Sequence, residues 1–230
     1  MNELTSVLRT ENKYLLAQTQ YLSCKRRVAS ILRADTNNKS SGYLVRSLYF
    51  DTLDDSDYVD KMRGLENRRK LRLRIYHPDA AFAKLELKEK SGAYQRKRSL
   101  TVTRKQAERL VVGDFEVLGE LDHPFAAEIR NLVACRIYRP KCILEYERCA
   151  FLHPVNRIRV TFDHNVRAGL VPQSFFQPKP SLCPVLPPDQ VILEVKYDGF
   201  LFSYIKDTLD ACDCSPVSVS KYCMARTVGM

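Results

Sequence analysis

Three absences in this sequence of 230 residues exclude whole classes of protein. No apolar run approaches the roughly eighteen residues of a membrane-spanning helix, so we expect no membrane span. The N-terminus carries charged residues where a secretory signal peptide has an apolar core, so we expect a cytoplasmic protein. The eight cysteines include no C-x-x-C pair, and no histidine lies near Cys212 and Cys214 to complete a zinc set. We therefore expect reduced thiols with no part in function.

Acidic residues are scarce relative to basic ones. The chain has 37 Lys and Arg against 27 Asp and Glu, a formal net charge of +10. An excess of this size predicts an anionic partner, such as a nucleotide, polyphosphate, nucleic acid or lipid head group. The apolar fraction of 45% is ordinary for a globular chain, and there is no internal repeat. We expect one domain over residues 1–230, with a proline-rich connector at 172–190.

Five short segments alternate between apolar and mostly charged residues along most of their length, and they are 70–76, 84–90, 143–148, 157–163 and 191–197. A period of two is typical of β-strands with one apolar face and one polar face. The polar face of these strands repeatedly carries Arg or Lys with an occasional Glu. Solvent exposure would explain any one such strand. Five of them in one chain favour a lumen lined by rows of cations and punctuated by carboxylates.

The remaining pattern completes the predicted elements. Further strands are predicted at 8–17, 43–50, 94–102 and 137–139, and helices at 24–34, about 51–62, 103–112, 123–133 and 200–211. The connections between the strands are short, which favours antiparallel pairing. The predicted fold class is α+β, with an eight-stranded antiparallel β-barrel, helices packed outside it and a C-terminal helix.

Eight motifs stand in order along the chain: RTENKY at 9–14, SLYFDT at 47–52, LRLRIY at 71–76, ELK at 86–88, YERCAF at 146–151, RIRVTFD at 157–163, ILEVK at 192–196 and SKY at 220–222. Each is a weak signal by itself, but the ordered set is specific. The sequence resembles the triphosphate tunnel metalloenzymes. Within them it is most similar to the polyphosphate polymerase domain of the vacuolar transporter chaperone (VTC), in its bacterial-type stand-alone form.

The resemblance implies a tunnel whose cations hold phosphates and whose glutamates hold a divalent metal, Mn²⁺ or Mg²⁺. The residues that it implies for catalysis are Lys221, Arg72, Arg74, Lys88, Arg148 and Arg159. Those implied for phosphate or nucleotide binding are Lys13, Arg9, Arg96, Arg98, Tyr146, Lys196 and Ser220. The implied metal ligands are Glu194, with Glu11 and Glu86. One departure is Ser218, which stands where the family has a second lysine three positions before Lys221.

The function that the resemblance implies is ATP-dependent polyphosphate polymerisation, in which the γ-phosphoryl of a nucleoside triphosphate is added to a polyphosphate chain. The partners would be ATP, or another triphosphate, and inorganic polyphosphate. The alternatives are a metal-dependent triphosphatase of the same fold and a non-catalytic polyphosphate-binding module. Nucleic acid is not an expected partner, because aromatic residues do not interleave with the basic strand positions as base-stacking platforms would require. The sequence leaves the oligomeric state open.

Overall fold

The computed structural model describes residues 9–39, 42–92, 94–212 and 215–228. Two compact units are formed by non-contiguous parts of the chain. The first unit comprises residues 1–44, 146–166 and 186–220, and the second comprises 45–145, 167–185 and 221–230. Over the described ranges, every helix is too short or too polar to cross a membrane.

The first unit is built on four antiparallel strands. Its elements are β1 (Arg9–Ala17), α1 (Gln18–Ile31), β2 (Arg33–Ala34), the second half of β7 (Arg139–His153), most of β8 (Ile158–Gly169), β10 (Gln190–Asp198) and α5 (Ser203–Asp210). The strand order is β1-β10-β8-β7, with β2 paired to β7. One face of this sheet packs on α1 and α5, and its core includes Leu16, Val28, Val160, Leu193 and Ile205.

The second unit continues from the first half of β7. Its elements are β3 (Tyr43–Asp51), α2 (Ser56–Met62), β4 (Arg68–Ile75), β5 (Phe82–Ser91), β6 (Tyr94–Thr103), α3 (Arg104–Val111), α4 (Pro124–Arg136), β9 (Cys183–Pro184) and α6 (Lys221–Arg226). The strand order is β7-β3-β4-β5-β6, and β9 pairs with the end of β8. The leucines and isoleucine of β4 and β5 pack against α3 and α4 in a second core.

Polar side chains start the helices of the second unit. At the start of α2, the backbone N–H groups of Asp57 and Tyr58 donate to the carboxylate of Asp51, both at 2.9 Å, and Ser56 N–H donates to the Thr52 hydroxyl at 2.8 Å. The first N–H groups of a helix have no partner within the helix, so these acceptors define where α2 begins. Pro124 occupies the first turn of α4, as its position in the sequence predicts.

The α+β class with antiparallel strands is confirmed, but the strand count and closure differ from the prediction. There are ten strands in the described residues rather than eight, and their order ends at β1 and β6 instead of closing into a ring. The strand predicted at 143–148 is longer and forms β7 from Arg139 to His153; it includes Pro140, which is tolerated near a strand end. The strand predicted at 137–139 is wrong at its first two positions, because Ile137 ends α4 in a left-handed conformation and Tyr138 precedes β7. Helix α1 begins at Gln18, six residues before the predicted start, and α6 was not predicted.

Residues 172–185 of the proline-rich connector belong to the second unit. Residues 172–174 form a 3₁₀ turn, and Phe175 is fully buried in the core of that unit. The guanidinium of Arg46 is also buried, and it donates to the backbone carbonyls of Phe175 and Gln177 at 2.9 and 2.6 Å. Its charge is balanced by Glu145, whose carboxylate accepts from Arg46 Nε at 2.6 Å. The expectation of one domain over the whole chain stays a prediction.

Candidate functional site: two buried charge clusters

The charged faces of the alternating strands contain buried charges, although Lys97 on a neighbouring strand is half exposed. Glu86 is 2% exposed, Glu194 is 6% exposed and Arg148 is 8% exposed. A solvated strand face would leave such side chains in water, and burying a charge costs free energy unless an opposite charge pairs with it. The solvent-facing alternative is therefore wrong at these positions.

In the first unit, five side chains form what we call the glutamate cluster: Glu11, Lys13, Arg148, Glu194 and Lys196. The antiparallel register places Glu11 opposite Lys196 and Lys13 opposite Glu194. Lys13 Nζ lies 3.1 Å from Glu11 Oε1 and 3.8 Å from Glu194 Oε1, and Lys196 Nζ lies 3.1 Å from Glu194 Oε2. Burial lowers the pKa of Lys196 to about 8, although Glu194 and Glu11 oppose this shift.

Arg148 is held by a carboxylate that the resemblance does not point to. Its Nε and Nη2 atoms donate to the two oxygens of Asp163 at 2.6 and 2.7 Å, and Nη2 lies 3.6 Å from Glu194. The guanidinium also stacks over the Tyr146 ring at 5.2 Å. Burial opposes the charged form, but Asp163 and Tyr146 raise the pKa of Arg148 well above its usual value. The period of two could have identified Asp163, because it shares its strand face with Arg159.

The other predicted residues of the first unit lie around this cluster. Arg159 is opposite Lys196 in the register, and its Nη2 contacts Asp35 at 3.2 Å and Tyr43 at 2.8 Å. Lys13 donates to the backbone carbonyl of Val219 at 3.1 Å, immediately before Ser220. The side chain of Arg9 lies outside the described residues.

In the second unit, one face of β4, β5 and β6 carries a dense set of cations, which we call the cationic face. The register aligns Lys70 with Lys88 and Lys88 with Lys97, so three ammonium groups stand in one row across three strands. The neighbouring rows of the same face contribute Arg68 with Lys90, Arg72 with Glu86, and Arg74 with Lys84. Like charges directly opposite each other destabilise a sheet, so this arrangement is typical of an anion-binding surface.

Glu86 is the carboxylate of this face. Arg72 Nε donates to it at 2.7 Å, Arg74 Nη1 lies at 3.7 Å, and Lys97 also pairs with it. Burial acts to raise the pKa of Glu86, but Arg72, Arg74 and Lys97 together lower it to about 2. The prediction grouped Glu86 with Glu11 and Glu194 as metal ligands. The contacts of Glu86 within the second unit are those of a counter-ion, and its role as a metal ligand stays a prediction.

Arg96 and Arg98, which were predicted to bind phosphate, lie on the face of β6 opposite the cationic face. They stand opposite Glu89 and Leu87, on the side that packs on α4. Arg98 donates to Glu89 at 2.8 Å and to Glu128, and its guanidinium stacks on Phe125 at 4.7 Å. These contacts raise the pKa of Arg98, with the hydrogen bond to Glu128 as the largest cause. The β6 residue that shares the cationic face is Lys97, which the sequence argument missed.

The carboxylates present suit a metal ion that is held partly by substrate phosphates better than one held by protein side chains alone. The described residues contain no group of three or more His, Cys, Asp or Glu side chains placed to hold a metal. Glu11 and Glu194 nevertheless lie on one face of adjacent strands, among three cations. Mg²⁺ and Mn²⁺ are commonly held by one or two carboxylates together with substrate phosphates, so this pair fits such an ion.

Comparison with known proteins identifies the family. A model of the VTC domain family matches residues 8–229, and the chain therefore belongs to that family. Its fold is shared with a protein of Bacillus halodurans named a "putative adenylate cyclase", at 14% identity, a TM-score of 0.54 and 93% coverage of both chains. A Vibrio parahaemolyticus protein with the same printed name shares it at 12% identity and a TM-score of 0.52, over 96% of this chain and 98% of that one. No curated protein matches the sequence.

Proposed function

We propose that this protein is an ATP-dependent polyphosphate polymerase that uses a divalent metal ion. Membership of the VTC domain family supports binding of a triphosphate. The observation that carries the proposal further is the row of Lys70, Lys88 and Lys97 on three adjacent strands. Because paired strands lie about 4.8 Å apart, such a row offers repeated positive charge to a ligand with repeated negative charge. A linear polyphosphate has that character.

The arginines of the cationic face would hold the phosphates nearest the chemistry. Arg72 and Arg74 carry planar forks that can donate two hydrogen bonds to adjacent phosphate oxygens, whereas the lysines act as point charges along the chain. Burial of Arg74 and Glu86 strengthens the contacts that these two side chains make, because the local dielectric constant is lower than that of water. Glu86 pairs with Arg72 and Arg74 and would fix the orientation of the Arg72 fork.

The reaction needs positioning and charge neutralisation more than proton transfer. A terminal phosphate oxygen of the acceptor chain, already anionic, attacks the γ-phosphorus of ATP; the bond to the β,γ-bridging oxygen breaks and ADP leaves. No general base is required. This agrees with the places of His123, which starts α4, and of His164, which contacts Glu147, since both have structural partners. We place Lys221 at the transferred phosphoryl group, where its charge would be felt most in the transition state.

Glu194 and Glu11 would hold the divalent ion. When bound, that ion neutralises charge on the phosphate oxygens. Lys13, Lys196 and Arg148 surround the two glutamates and would contact the phosphates that this ion binds. Their positive charges keep the cluster suited to an anion even though two carboxylates lie within it.

Product analysis tests the proposal. Purified protein is incubated with ATP and Mn²⁺, and the products are resolved on a gel stained for polyphosphate, with ADP measured in parallel. A ladder of polymer accompanied by ADP is expected. Orthophosphate and ADP without polymer would replace the proposal with a triphosphatase. Binding of polyphosphate with no consumption of ATP would replace it with a binding module.

A further inference from the structure

The short C-terminal helix α6 is attached at both ends to the region where α2 begins. Tyr222, the second residue of α6, is 2% exposed and donates a hydrogen bond to Asp51 Oδ2. Arg226, one turn later, donates to the two carboxylate oxygens of Asp55 at 2.9 and 2.8 Å. A bidentate pair of this kind fixes orientation as well as distance. The helix therefore has little freedom to shift along α2.

The acceptor of the tyrosine hydroxyl is itself fixed. Asp51 is fully buried, and its carboxylate accepts from the backbone N–H groups of Thr52, Asp57 and Tyr58 at 2.7, 2.9 and 2.9 Å. A carboxylate at a helix N-terminus is also stabilised by the helix dipole. The hydrogen bond from Tyr222 to this carboxylate therefore fixes the start of α6 relative to α2.

The ring of Tyr222 reaches the cationic face. It stacks on the ring of Tyr49 with 4.8 Å between centroids, and Lys70 Nζ lies 5.5 Å from the centroid of its ring. The hydroxyl of Tyr49 in turn accepts a hydrogen bond from Arg72 at 3.3 Å. A single side chain thus contacts Asp51, Lys70 and the tyrosine that orients Arg72.

We propose that Tyr222 is a positioning residue whose hydrogen bond to Asp51 and stacking on Tyr49 set the place of Lys221 relative to Arg72. The proposal rests on the function proposed above, because it gives the preceding residue, Lys221, a role in the chemical step. Displacing a reacting group by about 1 Å can cost on the order of 100-fold in rate. Affinity for triphosphate is spread over many cations and should change little.

The chain offers a matched control. Tyr138 is fully buried and donates to Asp57 Oδ2 at 2.7 Å, so Tyr138→Phe removes the same kind of hydrogen bond to a neighbouring carboxylate of the α2 region. Tyr138 precedes β7, and its hydroxyl donates to a residue of α2 rather than to a residue that holds α6. Loss of stability alone should affect both variants, whereas loss of positioning should affect only Tyr222→Phe.

The experiment measures ADP release from ATP at saturating Mn²⁺ in five variants, beside the unaltered protein. Tyr222→Phe is expected to lower kcat roughly tenfold or more while KM changes less than about twofold, and Tyr138→Phe should leave kcat within about twofold. Arg226→Gln, which loosens the other end of α6, should behave as Tyr222→Phe does. In a Lys221→Ala background, adding Tyr222→Phe should cause no further loss, because residues that act as one unit are not additive.

Three results would overturn the inference: a raised KM with unchanged kcat in Tyr222→Phe, equal losses of kcat in Tyr222→Phe and Tyr138→Phe, or multiplied losses in the double variant. Failure of the proposed function has a different signature. In that case the unaltered protein itself releases no ADP from ATP, or it releases one orthophosphate for each ADP.

Discussion

At the scale of single residues, each buried charge of the two clusters has a partner of opposite sign. Arg148 is paired with Asp163, and Glu86 is paired with three cations. Removing one partner leaves a buried charge without compensation, which costs more than the pair contributes. A substitution at one of these positions can therefore lower stability as well as ligand binding. The variants of Glu194, Arg72 and Arg74 are each compared with a control variant on the other face of a strand, so that the effect on binding can be recognised.

Glu194→Gln is expected to abolish ATP turnover with both Mn²⁺ and Mg²⁺. The substitution keeps the shape of the side chain but removes the charge that we assign to metal binding. Turnover is measured as ADP release across a titration of each metal. Glu147→Gln serves as the control. Glu147 lies on the face of β7 opposite Arg148, and it contacts His164 and Asn165. Near-normal turnover of Glu194→Gln at saturating Mn²⁺ would remove Glu194 from the metal site.

Arg72→Ala and Arg74→Ala should each weaken binding of tripolyphosphate by about 1.5–3 kcal/mol, the range for a hydrogen bond to a charged group. Both guanidinium groups lie on the cationic face beside Glu86. The affinity is measured by isothermal titration calorimetry. Arg98→Ala should bind as tightly as the unaltered protein, because Arg98 faces α4. A weaker Arg98→Ala together with an unchanged Arg72→Ala would reverse our assignment of the strand faces.

At the scale of elements, the sequence predicts strand faces where basic and apolar residues alternate and fails where they do not. In β4 the run Lys70 to Ile75 alternates, and its faces are as expected. In β6 the residues Arg96, Lys97 and Arg98 are all basic, so a period of two cannot say which of them faces the phosphates. The register of the β5–β6 hairpin determines which residue does so: it pairs Lys97 with Lys88 and thus places Lys97 on the cationic face.

Other elements were missed because tertiary contacts define them. Helix α6 has only six residues, too few to be stable without packing. Its position depends on Asp51 and Asp55, about 170 residues earlier in the chain. The pairing of Arg148 with Asp163 likewise depends on the register of neighbouring strands, which an isolated strand pattern does not contain.

The start of α2 contains a carboxyl group that should make stability depend on pH. Burial raises the pKa of Asp57 from 3.8 to about 7, and the nearby charge of Asp51 adds to this shift, although the hydrogen bond from Tyr138 opposes it. Because the pKa is higher in the folded chain, folding is favoured when Asp57 is protonated. The free energy of unfolding should therefore fall as pH rises from about 4 to about 7.

Asp57→Asn should remove this dependence. An asparagine can accept the hydrogen bond from Tyr138 without a charge, so the variant should be more stable than the unaltered protein at pH 8 and nearly equal to it at pH 4. Urea unfolding at several pH values measures the difference, with Asp60→Asn, on the same helix and partly exposed, as the control. A stabilisation that is the same at both pH values would contradict the raised pKa.

At the scale of the whole molecule, the chain has a net charge of +10, and the strands of the second unit bring several of its cations together. The cationic face carries seven Lys and Arg residues in the rows formed by β4 and β5, and Lys97 adds an eighth from β6. A ligand that covers several rows releases more counter-ions than one that covers a single row. Length of the anion should therefore govern affinity.

We expect affinity to rise from tripolyphosphate to longer linear polyphosphates and to fall more steeply with salt for the longer ligands. Lys97→Ala should reduce this gain with length while changing tripolyphosphate binding less. The matched control is Lys105→Ala, which removes a charge from α3. Titrations with short and long polyphosphates at two salt concentrations measure how affinity depends on ligand length and on salt. Equal affinity for short and long polyphosphates would mean that the lysine row does not bind the polymer.

The measurement that tests the central claim most directly is ³¹P NMR of ATP turnover by the purified protein with Mg²⁺. Our account predicts that the ATP signals are replaced by those of ADP and by a growing resonance of internal polyphosphate residues, with little orthophosphate. The Lys221→Ala variant should show the same resonances roughly a hundredfold more slowly, the cost of losing one group that stabilises the transition state. Release of one orthophosphate for each ADP, with no internal phosphate resonance, would contradict the account and identify a triphosphatase.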